Sequence, residues 1–276
     1  MITLNSRGRQ LKSEKALVMG IINCTDDSFY KASSLQQTDL IFKRIDEMVS
    51  LGADIIDVGG QTTKPGSLQV SLDIELERIS PAISYLNSTY PDVWVSIDTT
   101  RSLVASHAVD LGAYMVNDIS GGDMDPEMIP TVALLDVPFV CMHMQGRPNT
   151  MQDSPHYGDV VAELVNFFSK KIMQCKTAGI KEIIIDPGFG FGKTLEHNYT
   201  LVKHLHQFAS LLTPLLVGFS RKSMIYKPLG TSPEDALNGT TVLNTIALLN
   251  GASILRVHDV KEAMEVVKLI EQLQRA

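Results

Sequence analysis

The chain has 276 residues, 44% hydrophobic and 20% charged, and its 24 Lys and Arg against 31 Asp and Glu leave a formal charge of −7. That is enough apolar material for one large core or two small ones, and it excludes a disordered, collagenous or coiled-coil chain. Basic residues scattered over an acidic chain leave no electrostatic footprint for nucleic acid, so any anion it binds is small.

The opening segment MITLNSRGRQLKSEK has no apolar signal-peptide region. The longest apolar runs, such as Ala16 to Ile22, fall far short of the ~20 residues that span a bilayer. Three cysteines, Cys24, Cys141 and Cys175, are odd in number and contain no CxxC pair, which points to a reducing compartment rather than a disulfide frame or a zinc knuckle. The expectation is a soluble, cytoplasmic protein that engages no membrane. Residues 1–16 are expected to form an N-terminal lid or hairpin beneath the domain that follows.

From residue 17 onward one unit repeats. Short apolar runs recur at 17–23, 54–60, 93–98, 114–119, 139–144, 182–188, 215–220 and 253–259, eight in all, with amphipathic stretches between them. They lack polar alternation, as strands buried on both faces must, and that predicts a parallel sheet. Asp125-Pro126-Glu127 and Ser232-Pro233-Glu234 predict helix starts, with a capping side chain before Pro at the first helical position. LGADIIDV, LGAYMVND, AGIKEIII and NGASILRV each place Gly at a helix end just before a strand, where a left-handed cap is required. Eight βα units over 17–276 without a linker give an α/β single domain, a (β/α)₈ TIM barrel. An open doubly wound sheet is the alternative, but the turn after the first run, NCTDDSF, has none of the glycines that such a fold uses there.

Chemistry in such a barrel sits on the loops that leave the C-terminal ends of the strands. The runs end in Asn23, Asp57, Asp98, Asn117 with Asp118, His143, Asp186, Ser220 with Arg221 and Lys222, and Arg256 with His258. Any single Asp or Asn there can cap the following helix, but capping needs no Lys, Arg or His, and eight independent caps do not gather at one mouth. Asp98, Asn117, Asp186 and Lys222 suit a flat heterocycle with a guanidine-like donor edge and a carbonyl. Arg256 and His258, two apart on a strand, point the same way and, with Asn23 opposite, suit a phosphate oxygen and its metal. DPGFGFGKT fits neither a nucleotide P-loop nor GxGxxG, which discards ATP and NAD. Two readings of its glycines stay open: Gly188, Gly190 and Gly192 bring the backbone close to a ligand with Phe189 or Phe191 as a wall, or they make a tight loop with both phenylalanines in the core. His143 reads as a packed, satisfied histidine beside Met142, an adaptable apolar shelf.

Five separated segments, MGIINCTDDSF, DIIDVGGQTTKPGS, SIDTTR with VNDISGG, CMHMQGRPNTMQ, and IIIDPGFGFGKTLEHN with LVGFSRKSM and RVHDV, resemble the dihydropteroate synthase family of the folate pathway. The resemblance runs from about residue 17 to the C-terminus. It implies a (β/α)₈ barrel, a homodimer, and a transferase that joins 6-hydroxymethyl-7,8-dihydropterin diphosphate to p-aminobenzoate with loss of diphosphate in the presence of Mg²⁺. It implies sulfonamide mimicry of the aromatic amine as well. Carried over by position, Asp98, Asn117, Asp186 and Lys222 match the pterin-binding residues, with Met142 and Phe191 lining that pocket. Asn23 matches the metal and diphosphate residue, and Arg256 and His258 match the diphosphate-binding pair. Thr63 matches a motif threonine, while Phe29, Pro65 and Ser223 fall near the aminobenzoate. The chain departs from the family pattern at Asp26, Lys31, Gln61 and Lys64, in the first two loops; Asp26 is expected to pair with Lys64 when those loops close. A pterin-dependent methyltransferase barrel and a non-catalytic pterin-binding paralogue are the competing readings.

Overall fold

The computed structural model describes residues 2–25, 34–62, 69–146, 150–151 and 154–276, with the side chains of residues 34 and 35 outside that description. The first two strands, β1 (Ile2–Ser6) and β2 (Arg9–Ser13), pair antiparallel. Arg7 and Gly8 both take positive φ, 49° and 84°, so the two-residue loop has the twist that a tight hairpin needs. Eight parallel strands follow: β3 (Leu17–Asn23), β4 (Ile55–Gly59), β5 (Trp94–Asp98), β6 (Met115–Asp118), β7 (Phe139–Met142), β8 (Ile183–Asp186), β9 (Leu216–Val217) and β10 (Ile254–Val257). Each pairs with its sequence neighbour except β8 and β9, which meet at a single parallel bridge between Ile185 and Leu215. β10 returns to β3, with Arg256 opposite Met19, and the sheet closes into a TIM barrel. All eight predicted runs contain a barrel strand.

Helices α1 (Ser34–Ser50), α2 (Leu72–Thr89), α3 (Ser102–Asp110), α4 (Met128–Leu135), α5 (Val160–Ala178), α6 (Leu195–Lys203), α7 (Ser223–Leu229), α8 (Leu237–Leu249) and α9 (Val260–Arg275) surround it. Gly52, Gly112, Gly179 and Gly251, the four predicted helix-end glycines, all have φ between 95° and 112°. The two predicted helix starts are displaced. Asp125 accepts the backbone N–H of Glu127, forming a turn, and α4 begins only at Met128. Ser232 donates its hydroxyl to Asp235 within a turn, and α8 begins at Leu237. In both places the local side-chain bond holds a turn that the helix then follows. No described helix is long and apolar enough to cross a membrane.

Two apolar layers hold the barrel. The outer faces of the strands pack against the helices in one extended cluster that includes Val18, Ile56, Ile97, Phe139 and Phe168. Inside, Leu17, Met19, Ile55, Trp94, Met115, Val140, Ile184, Leu216 and Ile254 form a second cluster, joined by Ile2 and Leu4 from the hairpin at the N-terminal end. Strand side chains repeat every two residues. Two positions beyond Ile55, Trp94, Met115, Ile184 and Ile254 come Asp57, Ser96, Asn117, Asp186 and Arg256. The lower layer is thus an apolar plug, and the upper layer is polar.

Candidate active site

Above that plug, at the C-terminal mouth, lies a cavity of about 250 Å³. Asn23, Asp98, Asn117, Met142, Asp186, Phe191, Lys222, Arg256 and His258 all line it. These are nine of the residues singled out from the sequence. Closure of the barrel makes β10 and β3 neighbours, so Asn23 stands beside Arg256 and His258 rather than opposite them. Ser223 opens α7 next to Lys222 and is absent from the lining. Thr63, Phe29 and Pro65 lie outside the described residues, as do Asp26, Lys31 and Lys64 with their predicted pairing.

The charged groups form one network. Arg256 donates Nε to Asp57 Oδ2 at 2.6 Å and Nη2 to Asp98 Oδ2 at 2.6 Å. Asn117 donates Nδ2 to the same Asp57 oxygen at 2.9 Å. Burial drives the Asp98 carboxyl up to about 7 against the pull of Arg256. Burial also raises Asp186, opposed chiefly by Lys222, and Asp186 Oδ1 accepts the N–H of Gly188 at 2.7 Å. Lys222 is pushed down to about 8 by burial, with Asp186 pulling the other way. Its Nζ donates to the Phe189 carbonyl at 2.6 Å and stands 4.9 Å from the centre of the Phe191 ring, close enough for a cation–π contact.

His258 is held near about 4 by burial and then by Arg256, so the ring is neutral at pH 7. Ser220 Oγ accepts the His258 backbone N–H at 3.1 Å and lies 3.1 Å from Nδ1. A serine hydrogen directed to Nδ1 leaves the ring proton on Nε2. Arg221, in the turn between β9 and α7, is instead taken by Asp259 through two hydrogen bonds of 3.0 and 2.8 Å.

The glycine-rich segment resolves in two parts. An added Cβ at Gly188 would sit 2.1 Å from the His143 carbonyl oxygen, and one at Gly192 would sit 2.3 Å from that of Gln145. These glycines approach the protein's own backbone, which corrects the reading that they approach a ligand; Phe189 is in the core against Phe219, and only Phe191 faces the cavity. Lys193, the lysine of the P-loop look-alike, is buried. It donates to the carbonyls of Gly188 and Phe191 at 3.0 Å each and contacts His143 Nδ1 at 3.1 Å. It ties the loop shut. His143, pushed down to about 3 by burial and then by Lys193, packs edge-on to Phe167 at 4.7 Å, as a satisfied core histidine does.

Asp57 is the residue that sequence reasoning passed over. It appears there only as one of many strand-end acids, and its fully buried position beneath the lining, bonded to two residues that do line the cavity, shows only in three dimensions. Among the described residues no group of three or more His, Cys, Asp and Glu could hold a metal ion.

A model of the family described as pterin binding enzyme matches residues 19–258. The chain is 41% identical to the dihydropteroate synthase of Escherichia coli K12 over 270 residues, covering 97% of this chain and 95% of that one. It superposes with a TM-score of 0.94 and 39% identity on the Yersinia pestis dihydropteroate synthase in complex with a sulfonamide drug, and each chain is covered in full. The Xanthomonas albilineans dihydropteroate synthase in complex with 7,8-dihydropteroate gives 0.90 at 34% identity, again with full coverage of both chains.

Proposed function

The chain belongs to the dihydropteroate synthases of the pterin-binding enzyme family, transferases of folate biosynthesis, and on that premise we propose how its own residues carry out the reaction. The observation that carries the reading is the convergence of two carboxylates, an amide and a lysine on one cavity walled by Met142 and Phe191. Asp98 and Asp186 accept N–H groups of the pterin, and Asn117, whose Nδ2 is given to Asp57, offers its oxygen as a third acceptor. Lys222 donates to the acceptor atoms of the ring. Phe191 and Met142 hold its faces.

The reaction breaks the C–O bond between the pterin methylene and diphosphate. The bonding electron pair leaves with diphosphate, and the neutral amine of p-aminobenzoate then attacks the methylene and gives up a proton to water. Positive charge left on the pterin faces Asp98 and Asp186, which stabilise it electrostatically, and no general base is required. Arg256 and the Nε2–H of His258 donate to the departing diphosphate.

Mg²⁺ fits this site in one way. Asn23, exposed at the mouth, would hold the ion through its amide oxygen, and among the described residues there is no group of three or more His, Cys, Asp and Glu, which would suit an ion that keeps most of its waters. Held there, Mg²⁺ would supply charge neutralisation for the leaving diphosphate. The same proposal assigns Phe29, Pro65 and Ser223 to p-aminobenzoate, or to a sulfonamide in its stead, and counts Thr63 among the substrate-binding residues. It takes the active species to be a cytoplasmic homodimer, which light scattering on the eluting protein would report as twice the chain mass.

Calorimetry tests the assignment. Asp186→Ala is expected to weaken binding of the pterin diphosphate by ~2–3 kcal/mol, because an N–H edge then loses its charged acceptor. Binding equal to the parent's would refute it.

A further inference from the structure

Asp57 of β4 is fully buried and does not line the cavity, yet it holds two residues that do. Its Oδ2 accepts both Asn117 Nδ2 and Arg256 Nε, and Arg256 passes on to Asp98 through Nη2. Its Oδ1 is buried with no hydrogen-bond partner among the described residues. Both donors therefore converge on a single oxygen, and residues from β5, β6 and β10 are tied to one carboxylate from β4.

An asparagine amide is ambivalent, presenting its oxygen or its NH₂ according to a half-turn about its terminal bond. A carboxylate is acceptor-only when ionised, so it admits one of these orientations and rejects the other. With Nδ2 facing Asp57, the oxygen of Asn117 is the atom left for a ligand. A flipped amide would set NH₂ against a donor N–H and lose that bond. The same carboxylate fixes Nε of Arg256, which leaves the planar guanidinium one way to reach Asp98.

We propose that Asp57 is a positioning residue that sets the hydrogen-bond polarity of the ligand site: it turns the Asn117 oxygen toward the pterin as an acceptor and directs Arg256 onto Asp98. This rests on the reading of the cavity as the pterin site. Asp57 touches no substrate. It acts through Asn117 and Arg256.

The test is a set of variants in the full chain, read by calorimetry with the pterin diphosphate and by steady-state kinetics. Asp57→Ala is expected to weaken pterin binding by about tenfold or more, while the Michaelis constant for p-aminobenzoate stays within about twofold. Asp57→Asn keeps one oxygen for both donors and should recover most of the loss. In an Asn117→Ala background Asp57→Ala should cost clearly less than in the parent, because the two act in part through one bond. Full additivity, or Asp57→Ala binding like the parent, overturns the proposal.

If Asp57→Ala does not fold, Asn117→Asp decides. It puts a second carboxylate against Oδ2, and a shared proton restores the bond, so its pterin affinity relative to the parent's should rise about fivefold or more between pH 8 and pH 5.5. A flat ratio overturns the role of Asp57. A parent that binds no pterin at all overturns the reading of the site instead, so the two failures are distinct.

Discussion

Removing Arg256 should expose how strongly the site is held together. Its guanidinium bridges two carboxylates at 2.6 Å each, Asp57 with a fully buried side chain and Asp98 at 9% exposure, while its own side chain is 20% exposed. Breaking a buried pair by deleting one partner costs ~3–5 kcal/mol, and the partial exposure places Arg256→Met at the lower end, about 3 kcal/mol. For a chain of this size about 2 °C of melting temperature accompanies each kcal/mol, so the loss is roughly 6 °C at pH 8.5. The loss should shrink in acid. Burial lifts the folded-state Asp98 to about 7 even with Arg256 beside it, and without Arg256 it moves higher still. Above about 7 the parent ionises Asp98 against Arg256 while the variant must keep it protonated or bear an unpaired carboxylate, so the gap widens as pH rises. Below it, Asp98 is protonated in the folded state of both proteins, and the gap narrows to the share of Asp57. Scanning calorimetry at pH 8.5 and pH 6 measures this; an equal loss at both, or a larger one at pH 6, would refute the reasoning.

Lys222 is charged in the folded protein only below about 8, so pterin affinity should fall as pH rises through that value. Lys222→Arg, which stays charged, should flatten this limb in titrations from pH 7 to 9.5, and an unchanged limb would assign it to another group. Gly188→Ala should cost about 3 kcal/mol or more in urea unfolding, because its φ is 66° and the new Cβ would fall 2.1 Å from the His143 carbonyl oxygen. Gly190→Ala, at φ 83° with only Lys222 Cδ at 3.5 Å, should cost less; the reverse order would contradict the account of this loop.

The barrel was readable because strands buried on both faces are written as continuous apolar runs, and glycine at four helix ends marked where four of the eight runs begin. The mouth was readable for a related reason. Period-two alternation puts Asn117, Asp186 and Arg256 one layer above an apolar plug and Asp98 two layers above it, so strand ends name site residues once closure is assumed. What escaped reading depends on contacts between distant segments. Nothing in DPGFGFGKT says that Gly188 and Gly192 face the backbone of His143 and Gln145 rather than a ligand, or that Lys193 spends its hydrogen bonds on loop carbonyls. Asp57 looks like every other strand-end acid, and its partners, Asn117 and Arg256, are 60 and 199 positions away. The helix starts at Asp125 and Ser232 were misplaced by a turn because Asp and Ser stabilise turns and caps with the same bond.

The central claim is that this cavity activates a pterin diphosphate for attack by an aromatic amine. Diphosphate release from 6-hydroxymethyl-7,8-dihydropterin diphosphate, followed with and without p-aminobenzoate alongside mass spectrometry of the pterin product, tests it most directly. Release of diphosphate is expected without the amine as well as with it, one 7,8-dihydropteroate formed for each diphosphate when p-aminobenzoate is present, and both signals lost together in Asp186→Ala. With both substrates and Mg²⁺ present, failure to release diphosphate, or release without any dihydropteroate, would contradict it.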